Sequence, residues 1–373
     1  MTLLASPSLS GHWEIAVRAL SGGAGAFFVF YFFKSLIRVG VLNQHFQDPL
    51  AFWVGRLVFR GFQLRMRRIP RGDPRRNEIA TWYWPCALIS VITAWFLLVM
   101  LGFGLLNWGF RVDKDLTQAL ISSGSSLSTL GFLTPTTLPG QVLAIVEGAI
   151  GLFLVVYLFT FLPGFLDLVN ERGDRVAWIY ARTGPDPSGV GLLLWYYESG
   201  RGKEIDAIFE DWEAFFRKLA KARSFLPILC VIRPLNPSES WVCAFGAFLD
   251  ALALHSTTIA RKSAASEIGL DCAVRAIKNF HSAMRGTPIN PLRSPELMHV
   301  ERREYEEACR RLEAAGVPLL KDREAAWNNF IQAHMRYEEE VAWLAAALAD
   351  PTPVFHQSPA PTDRAKPGDG SSA

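Results

Sequence analysis

The chain has 373 residues, half of them hydrophobic, and a formal net charge of +3. This composition is too apolar for an ordinary soluble domain and too polar for a protein lying wholly in a bilayer. It therefore predicts a membrane part joined to a soluble part. The near balance of charges gives no general indication of nucleic-acid binding. Five cysteines, scattered without a C-x-x-C pair, are interpreted as reduced, buried thiols of a cytosolic domain.

The N-terminal segment, residues 1–79, combines a hydrophobic stretch with a basic one. No positive segment precedes its first apolar run, so we do not predict a cleaved signal peptide. Residues 19–33 are uncharged but fall short of the roughly 20 residues that a bilayer requires. Arg18 and Lys34 could lengthen the span by extending their charged ends to the interface. The stretch is therefore predicted to be a transmembrane helix or, alternatively, an amphipathic helix at the membrane surface.

A cluster of arginines follows the first hydrophobic stretch. Apolar residues at helical spacing lie between them, and Asp73 is the one acid in this segment. Beside a membrane helix, such a cluster is typical of a cytoplasmic loop that contacts anionic lipid of the inner leaflet. A nucleic-acid patch is the alternative. The arginines are Arg56, Arg60, Arg65, Arg67, Arg68, Arg71, Arg75 and Arg76.

Two long apolar stretches, residues 86–108 and 142–166, are predicted to be membrane helices. The first carries no charge, and the second is interrupted by Glu147 and followed by Arg172 and Arg175. The arginines before the first helix and after the second place those two ends in the cytoplasm. The segment between the helices is therefore predicted to face the opposite side of the membrane.

The segment between these helices, residues 113–140, is where the sequence indicates function. Asp113 and Asp115 suit the N-terminus of a short helix, which we predict over about residues 116–126. Two prolines then prevent the helix from continuing. Non-helical backbone at membrane depth survives only where protein buries it or where it lines a water-filled path. A short helix followed by irregular chain between two spans therefore predicts a re-entrant pore loop.

The run Ser128, Thr129, Leu130, Gly131 and Phe132 follows the predicted short helix. It resembles the selectivity filter of potassium channels, whose usual form is T-V-G-Y-G. With it, residues 82–170 resemble the two-transmembrane potassium channel superfamily. The resemblance implies a pore that cations cross. It also implies a selectivity filter whose last residue, in the family, is glycine.

That last filter position is occupied by Leu133 in this chain. Glycine adopts a positive φ at little cost, whereas leucine does not. Strict potassium selectivity is therefore the property that this departure brings into question.

The chemistry expected of the loop is the replacement of an ion's water by fixed oxygen atoms. The carbonyls of Thr129, Leu130, Gly131 and Phe132, with the Thr129 hydroxyl, would supply stacked rings of oxygens. One loop gives a quarter of each ring, so the pore requires a closed oligomer, most simply a homotetramer. The short helix would direct its partially negative C-terminal end at the pore axis.

Several neighbouring residues are predicted to support or gate this loop. Small serines on the short helix are expected either to hold the loop by hydrogen bonds or to permit close packing. Glu147, an acid within a span, is expected to bond the rear of the filter, to attract cations, or to pair with loop backbone. Glycines of the second span would let it bend or pack closely, and Pro163 with Gly164 would kink it at a gate. The supports are Ser126, Ser128 and Glu147, with Ser122, Ser123 and Ser125 as further serines, and the hinge residues are Gly148, Gly151, Pro163 and Gly164.

Residues 171–349 are predicted to form a cytosolic α-helical domain, and residues 350–373 a disordered tail. Ser238 or Ser240 would cap a buried helix that carries Asp250 and His255, which we interpret as a satisfied core pair. No phosphate-binding loop and no histidine spacing typical of metal ligands is found in the sequence. The predicted helices cover residues 204–223, 240–264, 267–284, 296–315 and 320–349.

The sequence as a whole predicts an all-α membrane protein. Its two-span pore-loop channel module, residues 80–170, follows an N-terminal hydrophobic helix and precedes the cytosolic helical domain. The predicted function is passive, potassium-like conduction of a monovalent cation through a homotetramer in the inner cell membrane, with the C-terminus in the cytoplasm. The alternative is a membrane-anchored sensor or scaffold that keeps the fold without conducting. No cofactor is predicted, and no constellation of side chains favours an enzyme.

Overall fold

The structure is a computed structural model whose described residues are mostly helical. It divides into two compact units, the first made of residues 1–170, 222–232 and 286–288 and the second of the remainder. One isolated bridge, between Ile259 and Leu319, is the β pairing found in the described part of the chain. The described residues are 11–40, 48–66, 69, 79, 82–221, 229, 230, 232, 239–285, 294–348, 350, 351, 353 and 355.

Among its described residues the first unit contains five helices, and three of them are long and apolar enough to cross a membrane. The two stretches predicted as membrane helices are confirmed as long apolar helices, and the N-terminal stretch also reaches spanning length. The candidate spans are Trp13–Arg38, Pro85–Gly109 and Leu138–Thr183. The helices are α1 Gly11–Gly40, α2 Pro49–Met66, α3 Tyr83–Gly109, α4 Leu116–Leu127 and α5 Leu138–Thr183, the last of which continues into the second unit.

Helices α1 and α3 run antiparallel and approach each other at glycines. The guanidinium of Arg18 donates a hydrogen bond to the carbonyl of Trp108 at 2.8 Å. Further along, a β-carbon placed on Gly25 would lie 2.5 Å from the carbonyl oxygen of Gly102. Any side chain at this crossing would separate the helices, so small residues are what permit the contact.

Helix α2 runs antiparallel to the first half of α3. At its start, Asp48 accepts a hydrogen bond from the hydroxyl of Ser35 at 2.7 Å, and Ser35 accepts one from Trp95 Nε1 at 2.9 Å. Further along α2, the ring of Phe59 packs edge-on against Tyr83. The arginines that α2 carries are Arg56, Arg60 and Arg65, and the other arginines of the predicted cluster lie outside the described residues.

A hydrophobic core joins α1, α3, α4 and α5 within the first unit. Phe32, Trp95, Phe103, Leu127 and Ile150 are all buried in it. Because Leu127 is the last residue of α4, this core fixes the end of the short helix against both of the long helices beside it. This packing therefore fixes the position at which the loop after α4 begins.

The second unit is a helical domain built around one buried helix. All residues from 241 to 255 are buried on α8, and the ring of Trp212 on α7 stacks on Phe248 of α8 with centroids 4.0 Å apart. Truncating either ring to alanine would cost about 3–5 kcal/mol. The helices are α6 Gly189–Glu198, α7 Ile205–Lys221, α8 Trp241–Thr257, α9 Ala264–Arg285, α10 Arg302–Ala314, α11 Arg323–His334 and α12 Glu338–Leu348, with a 3₁₀ turn at Gly202–Glu204.

The order of the predicted helices in this unit is correct, but several of their ends are wrong. The helix predicted to reach residue 264 ends at Thr257, because the chain turns to pair Ile259 with Leu319. The helix predicted from residue 296 begins at Arg302, since Glu301 and Glu304 close a capping box there. The helix predicted over 320–349 is two helices separated by a turn at 335–337. Helix α6 was not predicted.

Two further expectations for the second unit have clear outcomes. Ser240 is confirmed as the N-cap of α8, where its hydroxyl accepts a hydrogen bond from the N–H of Cys243 at 3.2 Å. The described residues at the start of the predicted tail pack onto the unit, and the ring of Phe355 lies 5.2 Å from that of Phe330. Residues 356–373 of that tail lie outside the described residues.

Candidate pore loop

Helix α4 ends in a motif that turns the chain sharply back. Ser128 follows its last residue, and Thr129 adopts a left-handed conformation with φ of 57°. The N–H of Thr129 donates to the carbonyl of Ser126 at 3.0 Å, and that of Leu130 to the carbonyl of Ser125 at 3.1 Å. This pair of bonds is the Schellman arrangement, in which glycine is the usual left-handed residue. Threonine at that position costs about 1–2 kcal/mol in backbone strain.

Ser125 receives the next N–H groups of the loop as well. The N–H of Gly131 donates to the Ser125 carbonyl at 3.2 Å, and the N–H of Leu133 to the Ser125 hydroxyl at 3.1 Å. Gly131 is also left-handed, with φ of +67°. Ser125 itself is fully buried. Three backbone donors of the loop therefore converge on one serine of α4.

The carbonyl groups of the same loop are left available. Among the described residues, the carbonyl oxygens of Thr129, Leu130, Gly131 and Phe132 accept no hydrogen bond. The side chains of Leu130 and Phe132 are 72 % and 64 % exposed in the single chain, while Leu133 is half-buried. Within the described part of the chain, four successive carbonyls thus remain as unused acceptors beside two apolar side chains that are mostly exposed.

The predicted support residues have different roles in the structure. Ser126 and Ser128 donate their hydroxyls back into α4, to the carbonyls of Ser122 at 3.1 Å and Gly124 at 2.6 Å. They close the helix rather than bond the loop. Ser125, which the sequence offered only as one of several small serines, is the residue that bonds the loop. Its place four residues before Thr129, within the last turn of α4, was the available signal.

Glu147, on α5, is fully buried. It is hydrogen-bonded through Oε1 to the hydroxyl of Ser123, and this hydroxyl also lies 2.9 Å from the carbonyl of Met100 on α3. Its Oε2 has no hydrogen-bond partner within the described part of the chain. The carboxyl group therefore links α5 to α4 and, through Ser123, to α3, and none of the described hydrogen bonds joins it to the loop itself.

Two of the predicted hinge glycines are contact points between α5 and the end of α4. A β-carbon on Gly151 would lie 2.0 Å from the carbonyl oxygen of Leu127, and one on Gly148 would lie 3.4 Å from that of Ser126. Of the two roles predicted for these glycines, the structure shows the close packing. Nothing lies within 4 Å of a β-carbon at Gly164, and α5 continues through Pro163 to Thr183.

The candidate site thus consists of the apolar helices α3 and α5, the short helix α4 between them, and the loop after α4. The backbone N–H groups of this loop donate hydrogen bonds to α4. Pro163 and Gly164 are not part of this group, since they lie roughly 18 Å beyond Gly151 along α5, at 1.5 Å per residue.

No group of three or more His, Cys, Asp or Glu side chains that could hold a metal ion is found among the described residues. Comparison of the chain with known protein families, with curated proteins and with solved structures finds no match.

Proposed function

We propose that this chain is one subunit of a passive, potassium-like cation channel. The observation that carries the proposal is the row of unused carbonyls from Thr129 to Phe132, placed between two helices long enough to span a membrane. Backbone carbonyls at membrane depth must be covered by protein or face a water-filled path. Stacked rings of such carbonyls are the means by which a pore replaces the hydration shell of a cation.

The proposed pore requires more than one copy of the chain. A single loop provides one side of each carbonyl ring, and a closed ring of four identical subunits is the simplest completion. The exposed side chains of Leu130 and Phe132 would then be covered by neighbouring subunits. The C-terminal end of α4, with its partial negative charge, would favour a cation that has lost part of its water.

Location and lipid contacts follow from the distribution of arginines. We place the protein in the inner cell membrane with its helical domain and C-terminus in the cytoplasm, because arginines precede α3 and follow the apolar part of α5. Arg60 and Arg65 are exposed on α2. Anionic lipid of the cytoplasmic leaflet is the partner that suits them. The transported cation is the ligand of the proposed site, and no cofactor takes part in the mechanism.

A second candidate function is that of a membrane-anchored sensor or scaffold that keeps the fold without conducting. Leu133 favours it, because this residue stands where a potassium filter has its last glycine. The half-buried side chain of Leu133 occupies a position at which the family has glycine and therefore no side chain. The two candidates make opposite predictions about ion flux.

The test uses the purified full-length protein in liposomes, with its oligomeric state measured by native mass spectrometry. A tetramer that passes potassium supports the channel, whereas an intact tetramer without flux supports the sensor or scaffold. Leu133→Gly is expected to raise the permeability ratio of potassium over sodium, read as a shift in reversal potential. Leu138→Gly, the same change at an exposed leucine outside the filter segment, should leave the ratio as it is. An unchanged ratio in both variants would refute the role given to Leu133.

A further inference from the structure

A buried polar cluster in the second unit lies where α8, the end of α11 and the turn at 335–337 meet. Asp250, in the middle of α8, is fully buried. Tyr337 donates its hydroxyl to Asp250 Oδ1 at 2.6 Å, and His334 Nδ1 lies 3.0 Å from the same oxygen. This pairing corrects the expectation that His255 is the partner of Asp250. The ring of His255 instead packs edge-on against Phe209, with centroids 5.1 Å apart.

The other nitrogen of His334 holds a segment of chain that is not helical. Residues 294–300, here termed the strap, run without helical structure before α10. Met298 and Val300 of the strap are buried, while Leu297 and His299 are exposed. His334 Nε2 lies 2.9 Å from the carbonyl oxygen of Met298. The strap is thus attached to α11 by a hydrogen bond from a buried imidazole.

The hydrogen-bond chemistry of these contacts determines the charge of His334. A carbonyl oxygen can only accept a hydrogen bond, and so can an ionised carboxylate. Nδ1 also lies 3.2 Å from the Tyr337 hydroxyl, but that hydroxyl donates its single proton to Asp250 Oδ1. With a carboxylate at Asp250, both ring nitrogens therefore donate, and only the imidazolium form has two N–H groups. His334 in this arrangement is a buried cation paired with Asp250.

We propose that His334 is a proton-operated latch, which holds the strap while it is protonated and releases it when it loses its proton. With one proton left, the imidazole can serve either Asp250 or Met298. Hydrogen bonds to a charged acceptor are about twice as strong as those between neutral groups, so the remaining proton stays with Asp250. The bare Nε2 then faces a lone pair of the Met298 carbonyl, and the strap loses this hydrogen bond while Met298 and Val300 still contribute their buried contacts.

The groups around His334 set the direction of this response. Burial by itself lowers the pKa of His334, but the hydrogen bond and charge of Asp250, with the Met298 carbonyl, outweigh it and raise the pKa above its ordinary value. Burial also raises the pKa of Tyr337 far enough that it remains a donor. Glu338 faces the ring from the start of α12, and His299 of the strap lies 3.8 Å from Glu338. The latch is therefore closed below about pH 6.5, the ordinary histidine pKa, and opens as the pH rises through the folded-state pKa of His334.

This inference does not depend on ion conduction, since it concerns the second unit alone. It is tested by hydrogen–deuterium exchange of the strap in the full-length protein, normalised to the exchange of the same peptide in unfolded protein. Protection of residues 294–300 is expected to be constant in mildly acidic solution. Between the ordinary histidine pKa and the raised folded-state pKa of His334 it should fall by up to tenfold per pH unit and then level off, because only in that window does the latched state bind more protons than the released state.

Two histidine variants separate the latch from a general effect of pH. His334→Gln should show strap exchange that no longer depends on pH. His281→Gln, the same change at a histidine of α9 outside this cluster, should keep the wild-type response. A flat profile in the wild type, or a pH response that survives in His334→Gln, would overturn the proposal.

A third variant keeps the test valid if His334→Gln does not fold. Tyr337→Phe removes one donor from Asp250 and leaves the carboxylate more dependent on His334. It should therefore move the pH of strap release upward, because the protonated imidazole gains stability. A release at unchanged or lower pH would contradict the proposed coupling.

Discussion

The contact between Gly151 and the end of α4 gives the sharpest test of how the loop is positioned. A β-carbon there would lie 2.0 Å from the carbonyl oxygen of Leu127, about 1.4 Å inside the 3.4 Å at which ordinary contact begins. The atom in the way belongs to the backbone of a buried helix end and not to a flexible side chain. Gly151→Ala should therefore force α5 and α4 apart.

The magnitude follows from two opposing effects of this substitution. Replacing glycine by alanine inside a helix stabilises it by up to about 1 kcal/mol. Overpacking a close contact costs about 1–3 kcal/mol, and more where backbone must move. Gly173→Ala is the matched control, because Gly173 lies on the same helix with nothing within 4 Å of the added carbon. Gly151→Ala is expected to be about 1–3 kcal/mol less stable than Gly173→Ala.

The measurement is denaturant or thermal unfolding of the purified protein, together with cation flux in liposomes. Ser125 lies in the last turn of α4, and the loop begins where this helix ends. Displacement of Leu127 in Gly151→Ala should therefore also change cation flux or ion selectivity. The control variant should behave as the wild type in both assays. Equal stability and equal flux in the two variants would refute the claim that this contact positions the loop.

Two other outcomes are expected from buried acidic and basic groups. Glu147→Gln keeps the shape and an acceptor oxygen for Ser123, so stability and the proposed tetramer should persist, whereas Glu147→Ala should lose about 2 kcal/mol by emptying a buried site. A tetramer lost in Glu147→Gln would instead show that the negative charge is required. Burial lowers the pKa of His255 from 6.5 to about 4, so the folded state should lose about 3 kcal/mol as the pH falls through that window. Unfolding near pH 7 and near pH 4 should show this loss in the wild type and not in His255→Leu, and an equal loss in both would exclude His255 as its source.

The sequence predicted the apolar helices well because their signal is local and strong. A span of more than 20 uncharged residues, as in α3, has few other stable conformations. The short helix α4 was also predictable, since the aspartates before it and the prolines after it limit its length. Its observed end, Leu127, lies one residue beyond the predicted one.

The sequence could not show which partners the buried polar groups would find. Asp250 and His255 lie close together along the chain, yet Asp250 pairs with His334, 84 residues away. Such pairings depend on how helices pack and leave no periodic signal in the sequence. The same limitation applies to Ser125, whose role requires knowing that the loop folds back onto α4. The local sequence pattern specifies the helices, whereas contacts between distant segments determine which polar residues form hydrogen bonds with each other.

Helix α5 connects these observations, because one continuous helix contacts the end of α4 at Gly148 and Gly151 and continues to Thr183 in the second unit. The loop has no independent anchor among the contacts described above, since its N–H groups depend on Ser125 and Ser125 depends on the packing of α4. Displacement of α5 at Gly151 must therefore move Leu127, and with it the loop carbonyls. A long helix resists bending and carries displacement along its length more readily than an irregular linker does.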